Sequence, residues 1–119
     1  MFHTIIIVGN LGGDPELRYM ESGKAVCSFS LASSNTIKTG SESKKETIWW
    51  KVSVFGASAE ACNNHLKKGA KVLVEGHMKP DAETGCPHVY QKKDGSFGAS
   101  YEVTASTVKF LSAKEEEYF

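Results

Sequence analysis

The sequence lacks an apolar run of the roughly 20 residues that a transmembrane helix needs. Its longest candidate, residues 5–8, has the length of a strand. The N-terminus also lacks a basic stretch followed by a longer apolar segment, and lacks the Arg- and Ser-rich composition of an organelle transit peptide. We therefore expect a cytoplasmic protein, whose 119 residues fit one domain with a core that needs no disulfide or metal.

Cysteine is scarce. The chain has three cysteines, Cys27, Cys62 and Cys86. Because their number is odd and no C-x-x-C pair occurs, neither a disulfide framework nor a zinc ribbon is indicated. His77 and His88 lie near Cys86, but their spacing matches no usual zinc pattern. We interpret these residues as part of a polar loop, and we expect no metal and no other cofactor.

Grouped catalytic residues are lacking too. The 4 histidines lie on different segments, no carboxylates have metal-binding spacing, and no nucleophile motif occurs. The sequence therefore predicts a binding protein and not an enzyme. The enzymatic alternative is a nuclease, which magnesium-dependent cleavage of oligonucleotides would reveal.

The chain has no excess of charge, since its 14 basic and 14 acidic side chains cancel. Their distribution is uneven, because three acids form the run Glu115, Glu116 and Glu117. Residues 1–114 carry all 14 basic side chains and 11 of the 14 acidic ones, a net charge of +3. A mildly basic body with an acidic tip is compatible with a protein that binds a polyanion.

Turn-forming residues divide the chain into segments typical of strands. Alternation of apolar and polar residues, or β-branched composition, predicts each strand. Residues 57–66 form the one convincing helix, followed by the stop Lys67, Lys68 and Gly69. We expect residues 36–45 to be a mobile loop and residues 79–99 a long polar loop with a hairpin tip. The five predicted strands are residues 3–9, 25–32, 47–55, 71–78 and 100–111, and pairing could resume after the first of them at residues 17–20.

This order predicts a five-stranded OB-fold Greek-key barrel with one short helix between strands 3 and 4. The element order alone leaves other small barrels open. The domain would span residues 1–111, and residues 112–119 would form a short acidic tail. Residues 5–8 are apolar on both faces of their strand, so one face can fill the barrel. The other face needs cover from the helix or from a second subunit.

The strand at residues 48–55 carries the chemistry. Side chains alternate between faces, so Ile48, Trp50, Val52 and Val54 share an apolar face that resembles core. The opposite face holds Trp49, Lys51, Ser53 and Phe55. Exposed aromatic rings beside a cation are typical of a binding surface.

Unpaired nucleic acid matches that surface. Any base can stack on an aromatic ring, and lysine neutralises phosphate, whereas a duplex hides the base faces. The alternative is that Trp49 and Phe55 pack under a loop or at a subunit interface. The pattern of an aromatic residue beside cations recurs in the long loop at Tyr90, Lys92 and Lys93. A further candidate cation, Lys38, lies in the loop predicted at residues 36–45.

The chain resembles the bacterial single-stranded DNA-binding protein family over about residues 4–111. The most specific matches are residues 8–19, which read VGNLGGDPELRY, and the block Trp49-x-Lys51-Val52-x-Val54-Phe55-Gly56. Further matches follow in order at Gly23, residues 29–32, Leu66-x-Lys68-Gly69, Val72-x-Val74-Glu75-Gly76 and residues 101–103.

The resemblance implies a protein with an OB fold, usually assembled as a homotetramer. Such a protein protects single-stranded DNA in replication, recombination and repair at the nucleoid. Trp49 and Phe55 match base-stacking positions of the family, and Tyr90 takes the place of a stacking tryptophan if residues 81–89 are partly an insertion. Arg18 and Lys51 match basic positions near the DNA. The full set of candidate phosphate contacts is Arg18, Lys38, Lys51, Lys71, Lys79, Lys92 and Lys93.

Two positions depart from the family. Ile37 stands where some members have a further stacking tryptophan, and Thr4 stands where lysine is common. Both departures indicate that this chain contacts DNA more weakly, or over a shorter path, than relatives that have tryptophan and lysine at these positions.

The C-terminal residues also resemble the family, many of whose members end in an acidic tip that closes on phenylalanine and docks enzymes of DNA metabolism. The corresponding residues are Glu115, Glu116, Glu117, Tyr118 and Phe119. A terminal ring beside acids could fill a basic pocket of a partner. The alternative is a solvated tail.

Two other functions remain open. One is a primosome-type OB-fold interaction module that acts mainly through protein partners. The other is RNA binding, because stacking does not read the 2′-OH. The preference for DNA rests on the family resemblance.

Overall fold

The computed structural model describes residues 1–111, which form a mostly β structure with one helix. No helix in this part of the chain is long and apolar enough to cross a bilayer. The elements in chain order are β1 (Ile5–Leu11), β2 (Glu16–Tyr19), β3 (Ala25–Thr39), β4 (Glu42–Phe55), α1 (Ala57–His65), β5 (Lys71–Met78), β6 (His88–Gln91) and β7 (Phe97–Phe110).

Five of the strands close into a barrel. The pairing runs β1-β5-β7-β4-β3, and β3 returns to β1 at Asn10↔Ala32 and Leu11↔Leu31. Only the β4–β7 pair is parallel among these pairings. β2 continues the path of β1 after a turn and pairs with β3. With α1 between the third and fourth barrel strands, the predicted OB-fold Greek-key barrel is confirmed.

Alternation along each strand fills the barrel. Cys27, Phe29 and Leu31 of β3 point inward at every second position, because side chains of a strand alternate between its faces. Val52 and Val54 of β4 do the same. The core is completed by Ile7, Leu11, Val72, Val74 and Val103, with Ala59, Cys62 and Leu66 at the helix.

The three cysteines are free thiols. Cys27 and Cys62 are buried, and Cys86 is exposed. Burial, together with the neighbouring Cys27 thiol, raises the pKa of Cys62 to about 11, so this thiol is neutral at physiological pH. The two buried thiols therefore act as small apolar core side chains.

The prediction of a loop at residues 36–45 is wrong. β3 and β4 stay paired from Val26↔Phe55 to Thr39↔Glu42, as one long hairpin that extends beyond the barrel. Gly40, with φ of 63°, opens the two-residue turn, the position where tight hairpin turns require a positive φ. Both faces of this arm are solvated, so its strands carry polar residues that resemble a loop in composition.

The prediction that Ile48 belongs to the core is also wrong, because this side chain is 43% exposed. Ile48 pairs with Ser33 on the hairpin arm, whereas β7 joins β4 only from Trp50 onward. The inward face of β4 therefore becomes core only where β7 covers the barrel, and Ile48 lies just outside that region.

The prediction for residues 79–99 is partly confirmed. A hairpin does form there, with β6 paired to the first residues of β7 from His88↔Ser100 to Gln91↔Phe97. The last strand therefore begins at Phe97 and not at Ser100. This second arm continues directly into the part of β7 that pairs with β4 from Trp50↔Tyr101 onward.

Candidate nucleic-acid interface

The outer face of β4 continues across its neighbouring strands. Directly paired residues share a face of a sheet. Lys51 pairs with Ser30 of β3 and with Glu102 of β7. The same face extends through Ser100 to His88 of β6. Residues from β3, β4, β7 and β6 thus form one surface.

Trp49 lies on this surface with 56% of its area exposed. Its neighbour across the hairpin is Ala32, and the six-membered part of its indole lies over Gly12 in the turn between β1 and β2. Trp50 points the other way, where its Nε1 donates a hydrogen bond of 2.9 Å to Ser33 Oγ and its ring packs on Tyr101. The predicted separation of the two tryptophans by strand face is confirmed.

Phe55 is half-buried at the other end of β4. The Lys24 ammonium lies 5.6 Å from the centre of the Phe55 ring, within cation–π distance. Phe55 pairs with Val26, and Val26 pairs with Arg18 of β2. A cavity of about 480 Å³ is lined by Phe55, Val26 and Arg18, and also by Lys79.

Two further cavities adjoin the first. One, of about 490 Å³, is lined by Arg18, Ser28 and Lys51. The other, of about 310 Å³, is lined by Lys51, Lys79, His88 and Glu102. Arg18, Lys51 and Lys79 are each shared by two of the cavities, so the three cavities adjoin one another. We call the three cavities together the groove, whose lining also includes the acids Glu16, Glu21, Asp81 and Glu102.

Tyr90 lies on the β6–β7 arm, beyond the third cavity. Its side chain is 44% exposed and is nearly parallel to the His88 ring, with 6.2 Å between ring centres and an angle of 23°. His88 Nδ1 lies 3.3 Å from a carboxylate oxygen of Asp81. Backbone N–H donation from Glu83, followed by the contact with His88, lowers the pKa of the Asp81 carboxyl. The arm therefore carries two adjacent rings at one end of the groove.

The structure does not bring all candidate basic residues into the groove. Lys92 and Lys93 lie at the turn of the β6–β7 arm, and Lys38 lies near the tip of the β3–β4 arm. Lys71 is the first residue of β5. It pairs with Asn10, Asn10 pairs with Ala32, and Ala32 pairs with Trp49. At about 4.8 Å per strand, Lys71 lies about 14 Å from the Trp49 position. The DNA-contact roles of all these residues stay predictions.

Sequence reasoning missed three residues of this surface. His88 was interpreted as part of a polar loop, and the pairing that stacks it on Tyr90 has no local signal. Lys24 lies between residues 17–20 and the predicted strand at residues 25–32, where nothing in the sequence indicates that its ammonium lies over Phe55. Glu102 places a carboxylate beside Lys51, and only the long-range β4–β7 register brings these two together.

Two other predictions bear on this surface. Among residues 1–111, no three His, Cys, Asp or Glu side chains are grouped as metal ligands. The candidate partner-binding tip lies outside the described residues, namely Glu115, Glu116, Glu117, Tyr118 and Phe119.

The barrel, with exposed aromatic rings and three cations on its outer face, defines an OB-fold binding domain. Residues 2–111 match the model of the single-strand binding protein family, and the chain belongs to this family, whose members are binding proteins and not enzymes. Curated relatives named single-stranded DNA-binding protein include those of Neisseria meningitidis serogroups A and B, each 36% identical over 115 residues. The relative from Helicobacter hepaticus is 34% identical over 115 residues.

These matches cover 96% of the chain. They cover 62% of the two Neisseria proteins and 64% of the Helicobacter protein. The chain therefore spans less than two thirds of the length of these curated relatives.

Proposed function

We propose that this protein binds single-stranded DNA without strong sequence preference and protects it during replication, recombination and repair at the nucleoid. The observation that carries this proposal is the groove, in which Arg18, Lys51 and Lys79 lie between Phe55 and the arm that bears Tyr90. Base faces would stack on Trp49, Phe55 and Tyr90, while Arg18, Lys51 and Lys79 would contact phosphates. The names of the curated relatives support the same conclusion.

The surface favours unpaired over paired DNA. An exposed ring gains stacking energy only from a base whose π-face is free, and in a duplex both faces are covered by neighbouring pairs. Ring stacking is also tolerant of sequence, because every base offers a π-face. We therefore expect oligo(dT) to bind far more tightly than a duplex of the same length.

The salt dependence of binding tests the groove. Each phosphate neutralised on a single strand contributes about 0.7 to the slope of log K against log salt, because a counterion is released. Removing two cations by the double substitution Lys51→Ala and Lys79→Ala should lower that slope by roughly 1.4. The measurement is oligo(dT) affinity at several salt concentrations.

A matched control is Lys67→Ala, because Lys67 follows α1 and lines none of the three cavities. This variant should keep the parental slope. An unchanged slope in the double variant would exclude the groove as the phosphate path. Weak, salt-insensitive binding by the parent itself would favour the interaction-module alternative.

We further propose that the protein assembles as a homo-oligomer through β1, as a tetramer by analogy with the family. Within residues 1–111, β1 pairs with β3 only at Asn10 and Leu11, so one edge of residues 5–9 is unpaired. Ile6 is 59% exposed and Val8 is 45% exposed on this strand, and α1 packs chiefly on β2, β3 and β4. A second copy of β1 could pair with this edge and cover both side chains.

The substitution Ile6→Asp should dissociate the assembly. An unpaired carboxylate in an apolar contact costs more than about 1.4 kcal/mol, so the dissociation constant should rise at least about tenfold. Molar mass by light scattering, measured across protein concentration, gives the result. The control is Val89→Asp, since Val89 is 58% exposed but lies on β6. A monomeric parent, or equal masses for the parent and both variants, would exclude this interface.

A further inference from the structure

Gly12 has an unusual neighbour for a glycine in a turn. A Cβ atom built on it would collide with Cζ3 of Trp49 and lie 3.0 Å from Cη2 of the same ring and 3.1 Å from Ser30 Oγ. Gly12 is not among the glycines with positive φ. The backbone conformation therefore does not require glycine here, and the constraint that remains is the tryptophan ring.

Tyr90 repeats this arrangement on the other arm. A Cβ atom on Gly98 would lie 2.8 Å from Cζ and 2.9 Å from the hydroxyl oxygen of Tyr90. Gly98 also lacks a positive φ, and it is the direct cross-strand partner of Tyr90. Two of the three candidate stacking rings thus lie against a glycine whose backbone could accept another residue.

Contact with a glycine gives a ring a defined orientation. The backbone covers part of the ring, and the absence of a side chain lets the ring lie close to the strand surface. Even so, Trp49 stays 56% exposed and Tyr90 44% exposed. A ring held in this way loses less rotational freedom when a base stacks on it, and immobilising one free side chain typically weakens binding roughly 2- to 10-fold.

We propose that Gly12 and Gly98 are positioning residues for single-stranded DNA binding, acting through Trp49 and Tyr90. The absence of a side chain at each glycine seats the ring with one face free for a base. This inference rests on the proposed function, because its benefit is realised only when bases stack on these rings. It adds that the stacking rings are held in place before DNA arrives.

The first experiment measures ring position without DNA. In a Trp50→Phe background, Trp49 is the only tryptophan, because the chain contains 2. Adding Gly12→Ala should displace the ring from the turn, so acrylamide should quench Trp49 emission faster. The matched control is Gly13→Ala, since a Cβ on Gly13 meets nothing within 4 Å and its φ is not positive. Equal quenching of Trp49 in the Gly12→Ala and Gly13→Ala proteins would overturn the proposal.

The second experiment is a double-mutant cycle on oligo(dT) affinity. Gly12→Ala should weaken binding roughly 2- to 10-fold in the parent and have no effect in a Trp49→Ala background. An equal loss in both backgrounds would mean that Gly12 acts through the backbone, which contradicts the proposal. The cycle of Gly98→Ala with Tyr90→Ala repeats the test, and it decides the matter if Gly12→Ala does not fold.

The two experiments separate this inference from the proposed function. If the parent does not bind oligo(dT), the proposed function fails, and the acrylamide measurement still reports whether Gly12 holds the ring. If the parent binds but the cycles show no coupling, the positioning role fails while DNA binding stands.

Discussion

Replacing Trp49 with alanine is expected to weaken the affinity for oligo(dT) by about 5- to 150-fold for each Trp49 ring on which a base stacks. A stacked base contributes about 1–3 kcal/mol by alanine substitution, a range drawn in part from single-strand binding proteins of this class. A change of 1.4 kcal/mol is tenfold in affinity. Trp49 is the most exposed of the three candidate stacking rings, so it can offer a base the most ring area.

Two control variants make this loss specific to stacking. Trp49→Phe keeps an aromatic face and should retain most of the affinity. Ile48→Ala removes a 43% exposed apolar side chain from the opposite face of β4 and should change affinity little. An affinity loss for Trp49→Ala that is no larger than the loss for Ile48→Ala would refute the stacking role.

Replacing Leu31 with alanine is expected to lower the free energy of unfolding by about 2–5 kcal/mol, the usual effect of truncating a buried leucine. Leu31 is 0% exposed, and it pairs with Leu11 where β1 and β3 close the barrel. The truncation therefore leaves a cavity at the closure of the barrel. Urea denaturation at one fixed protein concentration measures the effect, since the proposed assembly would make stability depend on concentration.

Leu111→Ala is the matched control, because it makes the same chemical change at a side chain that is 37% exposed. Surface substitutions of this kind usually change stability by no more than about 0.5 kcal/mol. Equal effects of the two substitutions would show that the β1–β3 contact does not close the core as described.

Strand alternation predicted the most informative part of the site. Val52 and Val54 are buried and Trp49 is exposed, as a period of two requires. The same rule separated Trp49 from Trp50. Periodicity succeeds here because β4 is paired with both β3 and β7 along this stretch, so one face must meet the core and the other must meet solvent.

The rule failed where the strands leave the barrel. Ile48 follows the inward pattern but lies beyond the last β4–β7 pair, so no residue of β7 pairs beside it and it stays 43% exposed. The hairpin arm around Ile37 was missed for a related reason. The strands of this arm are solvated on both faces, so polar residues occur at odd and even positions alike and no alternation is visible. The turn at Gly40 is the one local indication of a hairpin.

The assembly of the groove could not be predicted from local sequence. Arg18, Lys51 and Lys79 come from three distant segments, and the barrel register alone brings them to shared cavities. The contact between Gly12 and Trp49 has the same origin. A glycine in a turn has many explanations, and its proximity to a ring 37 positions later depends on the three-dimensional path of β1 and β4.

The most direct test of the account is Trp49 fluorescence in the Trp50→Phe variant during titration with oligo(dT). This variant keeps an aromatic ring against Tyr101, and Trp49 is its only tryptophan, which excitation near the red edge of the absorption band selects over tyrosine. If bases stack on Trp49, its emission should be strongly quenched and should reach a plateau when the groove is saturated, whereas a duplex of equal length should quench little. Bound oligo(dT) that leaves Trp49 emission unchanged would contradict the account.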